Sequence, residues 1–295
     1  MKWSSRDELE AAVAAYQSDW WRTNQDALDV IDDRSAHPGL RARVSAISAV
    51  GQMVTTADIY RPSHAGAPDD RPYLPQRKEV HQSIVADCVA RPPAHRHGGA
   101  SSTKPSAFFT IGCPGAGKTS VLRTIVNRYR AHRAGPADRG PASIIDADRV
   151  RQLLPEYAYG RGSRVVDEEC YYLTYGDVFD RALDTGADII YDTIGRLTSI
   201  RDPLERLRSS GYDLHVLHAT CPVNLCEQRT QQRALDVDGR LVPPGMLPRA
   251  ASDAQEALAA LRTERFPLAG WAVVDTTDMS ASTLIEGTVP WTETF

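Results

Sequence analysis

Ser106-Ala107-Phe108-Phe109-Thr110-Ile111-Gly112-Cys113-Pro114-Gly115-Ala116-Gly117-Lys118-Thr119-Ser120 decides the reading of this chain. The first six residues form a short apolar, β-prone run, the pattern of a strand buried on both faces. Residues 112–119 satisfy the spacing GxxxxGK[ST] in full, and the stretch that follows, Ser-Val-Leu-Arg-Thr-Ile-Val-Asn-Arg-Tyr, has the spacing of an amphipathic helix. Strand, glycine loop and helix are therefore predicted in that order. In such a loop the glycines let successive backbone N–H groups face one anion, and the start of the helix adds partial positive charge. Gly112, Cys113, Pro114, Gly115, Ala116, Gly117, Lys118, Thr119 and Ser120 are thus the candidate phosphate cradle of a nucleotide. Lys118 is expected to reach the β- and γ-phosphates of that nucleotide, and the Thr119 hydroxyl to hold Mg²⁺. Lysine is rare here, with only Lys2, Lys78, Lys104 and Lys118 in 295 residues, so a lysine at this position stands out from the background.

Outward from the loop, short β-rich runs at 106–111, 142–145, 187–191, 214–220 and 271–274 alternate with helical patterns at 118–132, 149–154, 167–185, 199–210, 223–235 and 248–265. Alternation of that kind predicts βαβ crossovers and an α/β fold, a doubly wound parallel sheet of about five strands. Upstream the style changes. Residues 7–33 and 40–60 have helical periodicity, a Pro/Gly/Asp-rich break follows, and 76–90 reads as a further helix. The expected organisation is an N-terminal helical region over 1–72 and an α/β domain over 73–295 that carries the phosphate loop.

Composition bounds the function. Hydrophobic residues make up 42% and charged residues 24%, as in an ordinary globular chain. A formal charge of -4 argues against nucleic acid and anionic membranes as partners. No apolar run is long enough to span a bilayer and the first residues are acidic, so the cytoplasm is the expected location. The five cysteines lack CxxC pairs and read as reduced thiols packed in the core. His95 and His97 form a lone pair in a loop, without further ligands.

Ligands of doubly wound sheets bind at the carboxyl ends of the strands, where three groups of residues are expected. Asp146 and Asp148 end the second run. Asp148 is the candidate base for an attacking hydroxyl, and Asp146, nearer the phosphates, is the candidate metal carboxylate beside Thr119. Arg149 follows directly. The third run ends at Asp192-Thr193-Ile194-Gly195-Arg196, which puts Asp192, Thr193 and Arg196 on the substrate side, with Asp192 suited either to a metal or to a substrate hydroxyl. Arg229 and Arg233 share one side of a helix at i,i+4, and Arg240 follows in a Gly/Pro-bounded segment suited to a mobile lid. A cluster of tyrosines, Tyr157, Tyr159, Tyr171, Tyr172 and Tyr175, suits either stacking on a planar ring or core packing.

Taken together, GCPGAGKTS, IIDADRVR, IIYDTIGR and the arginine-bearing segment from Arg229 to Pro243 resemble the zeta-toxin family of P-loop kinases, relatives of chloramphenicol phosphotransferase and polynucleotide kinase. The likeness spans about residues 75–275. It implies a P-loop kinase core and ATP or GTP with Mg²⁺ as donor. The acceptor is then the hydroxyl of a small molecule, a nucleotide-sugar such as UDP-N-acetylglucosamine or a dinucleotide such as NAD, with antibiotics as a further class. A toxin–antitoxin system with a small helical antitoxin as partner is also implied. Residue by residue, Lys118 and Thr119 become the phosphate and metal contacts, Asp148 the base, and Arg229, Arg233 and Arg240 the lid arginines. Where the family has a motif like Glu-Gly-Thr-Gly-Arg, this chain carries an aspartate, one methylene shorter, and an isoleucine. The alternative to an enzyme is a nucleotide-gated binding module read through the N-terminal helices.

Overall fold

Strand β1 (Ser106–Ile111) lies in the middle of one sheet, and every one of its residues is buried. The computed structural model describes residues 55–61, 73–90, 104–133, 140–160, 165–234, 242, 245–264, 266–288 and 291. β2 (Ser143–Asp146), β3 (Ile189–Asp192), β4 (Asp213–Thr220), β5 (Gly270–Asp275) and β6 (Thr283–Gly287) complete a sheet of order β2-β3-β1-β4-β5-β6. The first five strands pair in parallel, and β6 runs antiparallel to β5. The sequence reading missed β6. Its five residues follow a polar loop directly and three of them are exposed, so they lack the buried run that marked the other strands.

The chain divides into two compact units. One takes the described parts of Met1–Asp87 with Ala147–Val178 and Gln231–Pro243; the other takes the described parts of Cys88–Asp146, Phe179–Thr230 and Pro244–Phe295. The N-terminal helix expected over 7–33 lies outside the described residues, as does the second one as far as Val54.

The sheet belongs to the second unit. Its helices there are α3 (Arg123–Arg133), entered through a π turn at Lys118–Leu122, α6 (Phe179–Thr185), α7 (Leu197–Ser209), most of α8 (Val223–Arg233) and α9 (Met246–Thr263). α9 buries Leu247, Ala250, Ala254, Ala257, Leu258 and Leu261, spaced as one apolar face. α7 likewise buries Ile200, Leu204 and Leu207. Phe108 stacks on His215 at 5.0 Å, and Trp291, fully buried, stacks on Tyr129 at 4.4 Å.

The first unit holds α1 (Thr56–Tyr60), nearly all of α2 (Pro75–Cys88), α4 (Ala147–Leu153), a 3-10 turn at Pro155–Gly160 and α5 (Asp167–Tyr172), followed by a π turn at Leu173–Val178. α5 opens with three consecutive acids, and each takes an arginine from another segment. Asp167 accepts from Arg151 at 2.5 Å, Glu168 from Arg61 at 3.3 Å and Glu169 from Arg77 at 2.6 Å. Acids in a first turn also suit the positive end of the helix. Arg77 and Glu169 are buried; Arg77 reaches Glu156 at 2.7 Å as well, while His81 meets Glu169 at 2.6 Å and Tyr60 donates to Glu156 at 2.7 Å. Burial alone would raise the Glu169 carboxyl, but hydrogen bonds from Arg77 and His81 outweigh it and hold the group at about 2.

Candidate active site: the phosphate loop and its carboxylates

The loop after β1 turns where only glycine fits. Gly115 has φ +81°, and a Cβ there would stand 2.4 Å from the Cys226 carbonyl oxygen; Gly117, at φ +84°, precedes the π turn. Lys118 donates from Nζ to the carbonyls of Gly112 at 2.9 Å and Cys113 at 3.2 Å, which folds its ammonium back over the loop. Thr276 supports the loop from the end of β5 by donating to Ala116 O at 2.7 Å. Arg229 braces it from α8, reaching Thr276 O at 2.9 Å, Thr277 O at 2.8 Å and Gly115 O at 3.4 Å. Pro114 and Ser120 flank this scaffold, Pro114 half-buried and Ser120 exposed.

At the carboxyl ends of β2 and β3 two carboxylates are adjacent in register, Asp146 opposite Asp192. Both are largely buried, at 9% and 6% exposure. Thr119 donates its hydroxyl to Asp192 Oδ2 at 3.3 Å. Arg123, one helical turn beyond Thr119, bonds Asp146 Oδ2 and reaches Asp192 Oδ2 at 3.4 Å. Sequence reasoning missed Arg123; the available signal was its i,i+4 spacing from Thr119, which puts both on one face of the outgoing helix. Thr193 is fixed to the sheet through Thr193 N to Thr110 O at 3.1 Å, and Arg196 pairs with Asp253 of α9 at 3.1 Å.

Beside the loop a cavity of about 310 Å³ is lined by Cys113, His218, Cys221, Gln255 and Arg262 among others. Burial, and then the charge of Lys118, push His218 down to about 4, so the imidazole is neutral at pH 7. A hydrogen bond with Cys226 draws the Cys113 thiol below its ordinary value against the effect of burial.

In the first unit, Asp148 stands in the opening turn of α4. Its Oδ1 accepts from Arg151 Nη1 at 2.7 Å and its Oδ2 from Arg233 Nη2 at 3.4 Å. Arg149 is held by Asp87 at 2.8 Å. Tyr171 stacks on Tyr175 at 5.8 Å with both rings nearly parallel, whereas Tyr157 is buried. Arg240 lies outside the described residues. The unit boundary falls between Asp146 and Ala147, so the two carboxylates of the DxD stretch belong to different units.

Among the described residues no three His, Cys, Asp or Glu side chains converge as a metal site, and no helix is long and apolar enough to cross a membrane. Thr119 with Asp192 nevertheless supplies hard oxygen donors of the kind that hold Mg²⁺ together with nucleotide phosphates, an ion that needs few protein ligands.

A six-stranded sheet with its phosphate loop at the central strand, and a carboxylate one hydrogen bond from the loop threonine, define an α/β protein of the P-loop kinase class. Within that class the chain belongs to the zeta toxin family, whose model matches residues 95–283. Its fold is similar to that of AvrRxo1-ORF1:AvrRxo1-ORF2 with sulphate ions, at 14% identity and TM-score 0.58, over 81% of this chain and 78% of the other. The same pair solved with ATP matches at 13% identity and TM-score 0.57, over 81% and 78%. The PezAT chromosomal toxin–antitoxin system of Streptococcus pneumoniae matches at 15% identity and TM-score 0.53, over 73% and 83%. No curated protein matches the chain.

Proposed function

We propose that this protein is a kinase that transfers the γ-phosphoryl group of ATP or GTP to a hydroxyl of a small acceptor. The observation that carries the reading is the Thr119 hydroxyl hydrogen-bonded to Asp192 beside the glycine loop and Lys118. The loop amides and Lys118 bind and orient the β- and γ-phosphates. Thr119 with Asp192 would hold Mg²⁺, in place of the Thr119–Asp146 pair expected from the sequence, because Asp146 is bonded to Arg123; the ion, when bound, would neutralise charge on the phosphates. Asp148, two residues beyond Asp146 in the chain, takes the proton of the attacking hydroxyl. The acceptor oxygen forms its bond to the γ-phosphorus as the bond to the bridging oxygen breaks, and the nucleoside diphosphate leaves. Arg233 and Arg240 bring positive charge to the acceptor, and Arg229 keeps the loop in shape. Arg149, Thr193 and Arg196 are assigned to acceptor binding.

A nucleotide-sugar such as UDP-N-acetylglucosamine is the acceptor class proposed first. Family membership supports it, together with action as the toxin of a toxin–antitoxin system in the cytoplasm. Two of the similar structures carry a second protein or an antitoxin in their own description, which supports a small helical antitoxin as partner here.

The test incubates purified protein with Mg-ATP or Mg-GTP and, in turn, UDP-N-acetylglucosamine, NAD, chloramphenicol and a 5′-hydroxyl oligonucleotide, and follows each by mass spectrometry. One acceptor is expected to gain a phosphoryl group, about 80 Da. Lys118→Ala and Asp148→Asn should each lower that gain by about 10²-fold or more. Tight nucleotide binding without transfer to any acceptor would instead favour the nucleotide-gated binding module.

A further inference from the structure

We infer that Arg151 and Asp167 form a positioning bracket that fixes the Asp148 carboxylate for proton abstraction. This rests on the reading of Asp148 as base.

An aspartate in the first turn of a seven-residue helix, its side chain 35% exposed, has several rotamers open to it and loses that freedom only if something grips it. The grip comes from the next turn. Arg151 is three residues on, on the same face of α4, and its guanidinium donates from Nη1 to Asp148 Oδ1 at 2.7 Å. The guanidinium is itself immobilised. Its side chain is 3% exposed, and its remaining donors, Nε at 3.0 Å and Nη2 at 2.5 Å, both fall on Asp167 Oδ1. A planar fork held along one edge by a carboxylate has no rotation left with which to follow a second one, so the second one must settle where the fork points.

Of the two Asp148 oxygens, Oδ1 takes a 2.7 Å bond from the buried guanidinium and Oδ2 lies 3.4 Å from Arg233 Nη2. Arg151 from its own helix and Arg233 from α8 both face Asp148, and Arg151 in turn meets Asp167 and the Tyr171 ring of α5. Arg151 touches neither nucleotide nor acceptor in this assignment; it acts through Asp148.

The experiment measures kcat and KM for Arg151→Met, Arg151→Lys, Asp167→Asn, Asp148→Asn and the double variant Arg151→Met/Asp148→Asn. The acceptor is the one phosphorylated in the mass-spectrometric panel, or water, followed as ATP hydrolysis. Rates are taken per nucleotide-binding site, titrated with a fluorescent ATP analogue, which removes unfolded protein from the comparison. Arg151→Met is expected to lower kcat by about 10²-fold with KM for ATP within about twofold, Asp167→Asn by about tenfold, and Arg151→Lys by less than Arg151→Met. In the Asp148→Asn background Arg151→Met should add no further loss, because the group it positions is gone. Losses that multiply in the double variant overturn the inference, as does full kcat in Asp167→Asn and Arg151→Met while Asp148→Asn is impaired. Full activity in Asp148→Asn overturns the base reading instead, and a wild type without any turnover overturns both. Should Arg151→Met fail to fold, Asp167→Asn combined with Asp148→Asn carries the same comparison.

Discussion

The Thr119 hydroxyl and the Asp192 carboxylate meet at 3.3 Å across the gap between the phosphate loop and the end of β3. The same Asp192 oxygen lies 3.4 Å from Arg123 Nη2. A carboxylate oxygen beside a loop hydroxyl is a donor pair that suits a hard divalent cation. Asp192→Asn should raise the free Mg²⁺ needed for half-maximal transfer by about tenfold or more, measured at saturating nucleotide. Unchanged Mg²⁺ dependence would assign the metal to Asp146 instead.

Gly115 is held at φ +81°, with the Cys226 carbonyl oxygen 2.4 Å from where a Cβ would sit. A left-handed conformation costs an L-residue about 1–2 kcal/mol, and the clash adds backbone displacement in α8. Gly115→Ala should therefore lower Tm by several degrees and weaken nucleotide binding by about tenfold or more, read by calorimetry and by titration with an ATP analogue.

Acid sensitivity has two sources whose signs agree. Glu169 is held at about 2 in the folded protein against an ordinary 4.5, so its contribution is complete above pH 4.5 and is lost as pH falls toward 2. His218 is held neutral, near 4 against 6.5, so the unfolded chain binds the extra proton and stability declines from pH 6.5 toward 4. Thermal midpoints should fall in two stages over these windows. Glu169→Gln should remove the lower stage and cost about 3–5 kcal/mol at neutral pH, since it leaves the buried Arg77 short of one partner.

The phosphate loop was legible because its chemistry is local: glycine freedom, lysine reach and the flanking strand and helix are all written in one continuous stretch, from Ser106 to Arg133. Five strands were legible for the same reason, as buried apolar runs. β6 was not, since an exposed edge strand needs no such run. The partnerships around the site were hidden as well. Arg229 and Arg233 share a helix face, yet one braces loop carbonyls and the other meets a carboxylate, a difference set by what each encounters across long stretches of chain. Arg123 and Arg151 went unread in the sequence, because Asp146 and Asp167, the carboxylates they meet, come from other segments. Only the folded chain separates a guanidinium that spans two carboxylates from one that faces water.

The division between Asp146 and Ala147 has a consequence for how acceptor preference can change. Residues 147–178 leave the sheet-bearing unit after β2, and the chain re-enters that unit at α6. They form an insert, bounded on both sides by the scaffold that carries the phosphate loop, and they contain Asp148, Arg151, Asp167 and the stacked tyrosines. On the proposed assignment of Asp148 and the arginines to the acceptor side, exchanging that insert, together with the arginine-bearing segment after α8, is expected to alter the acceptor while the strand order and the nucleotide cradle are inherited intact. Neither unit, being made of interleaved pieces, can be released by one cut in the gene.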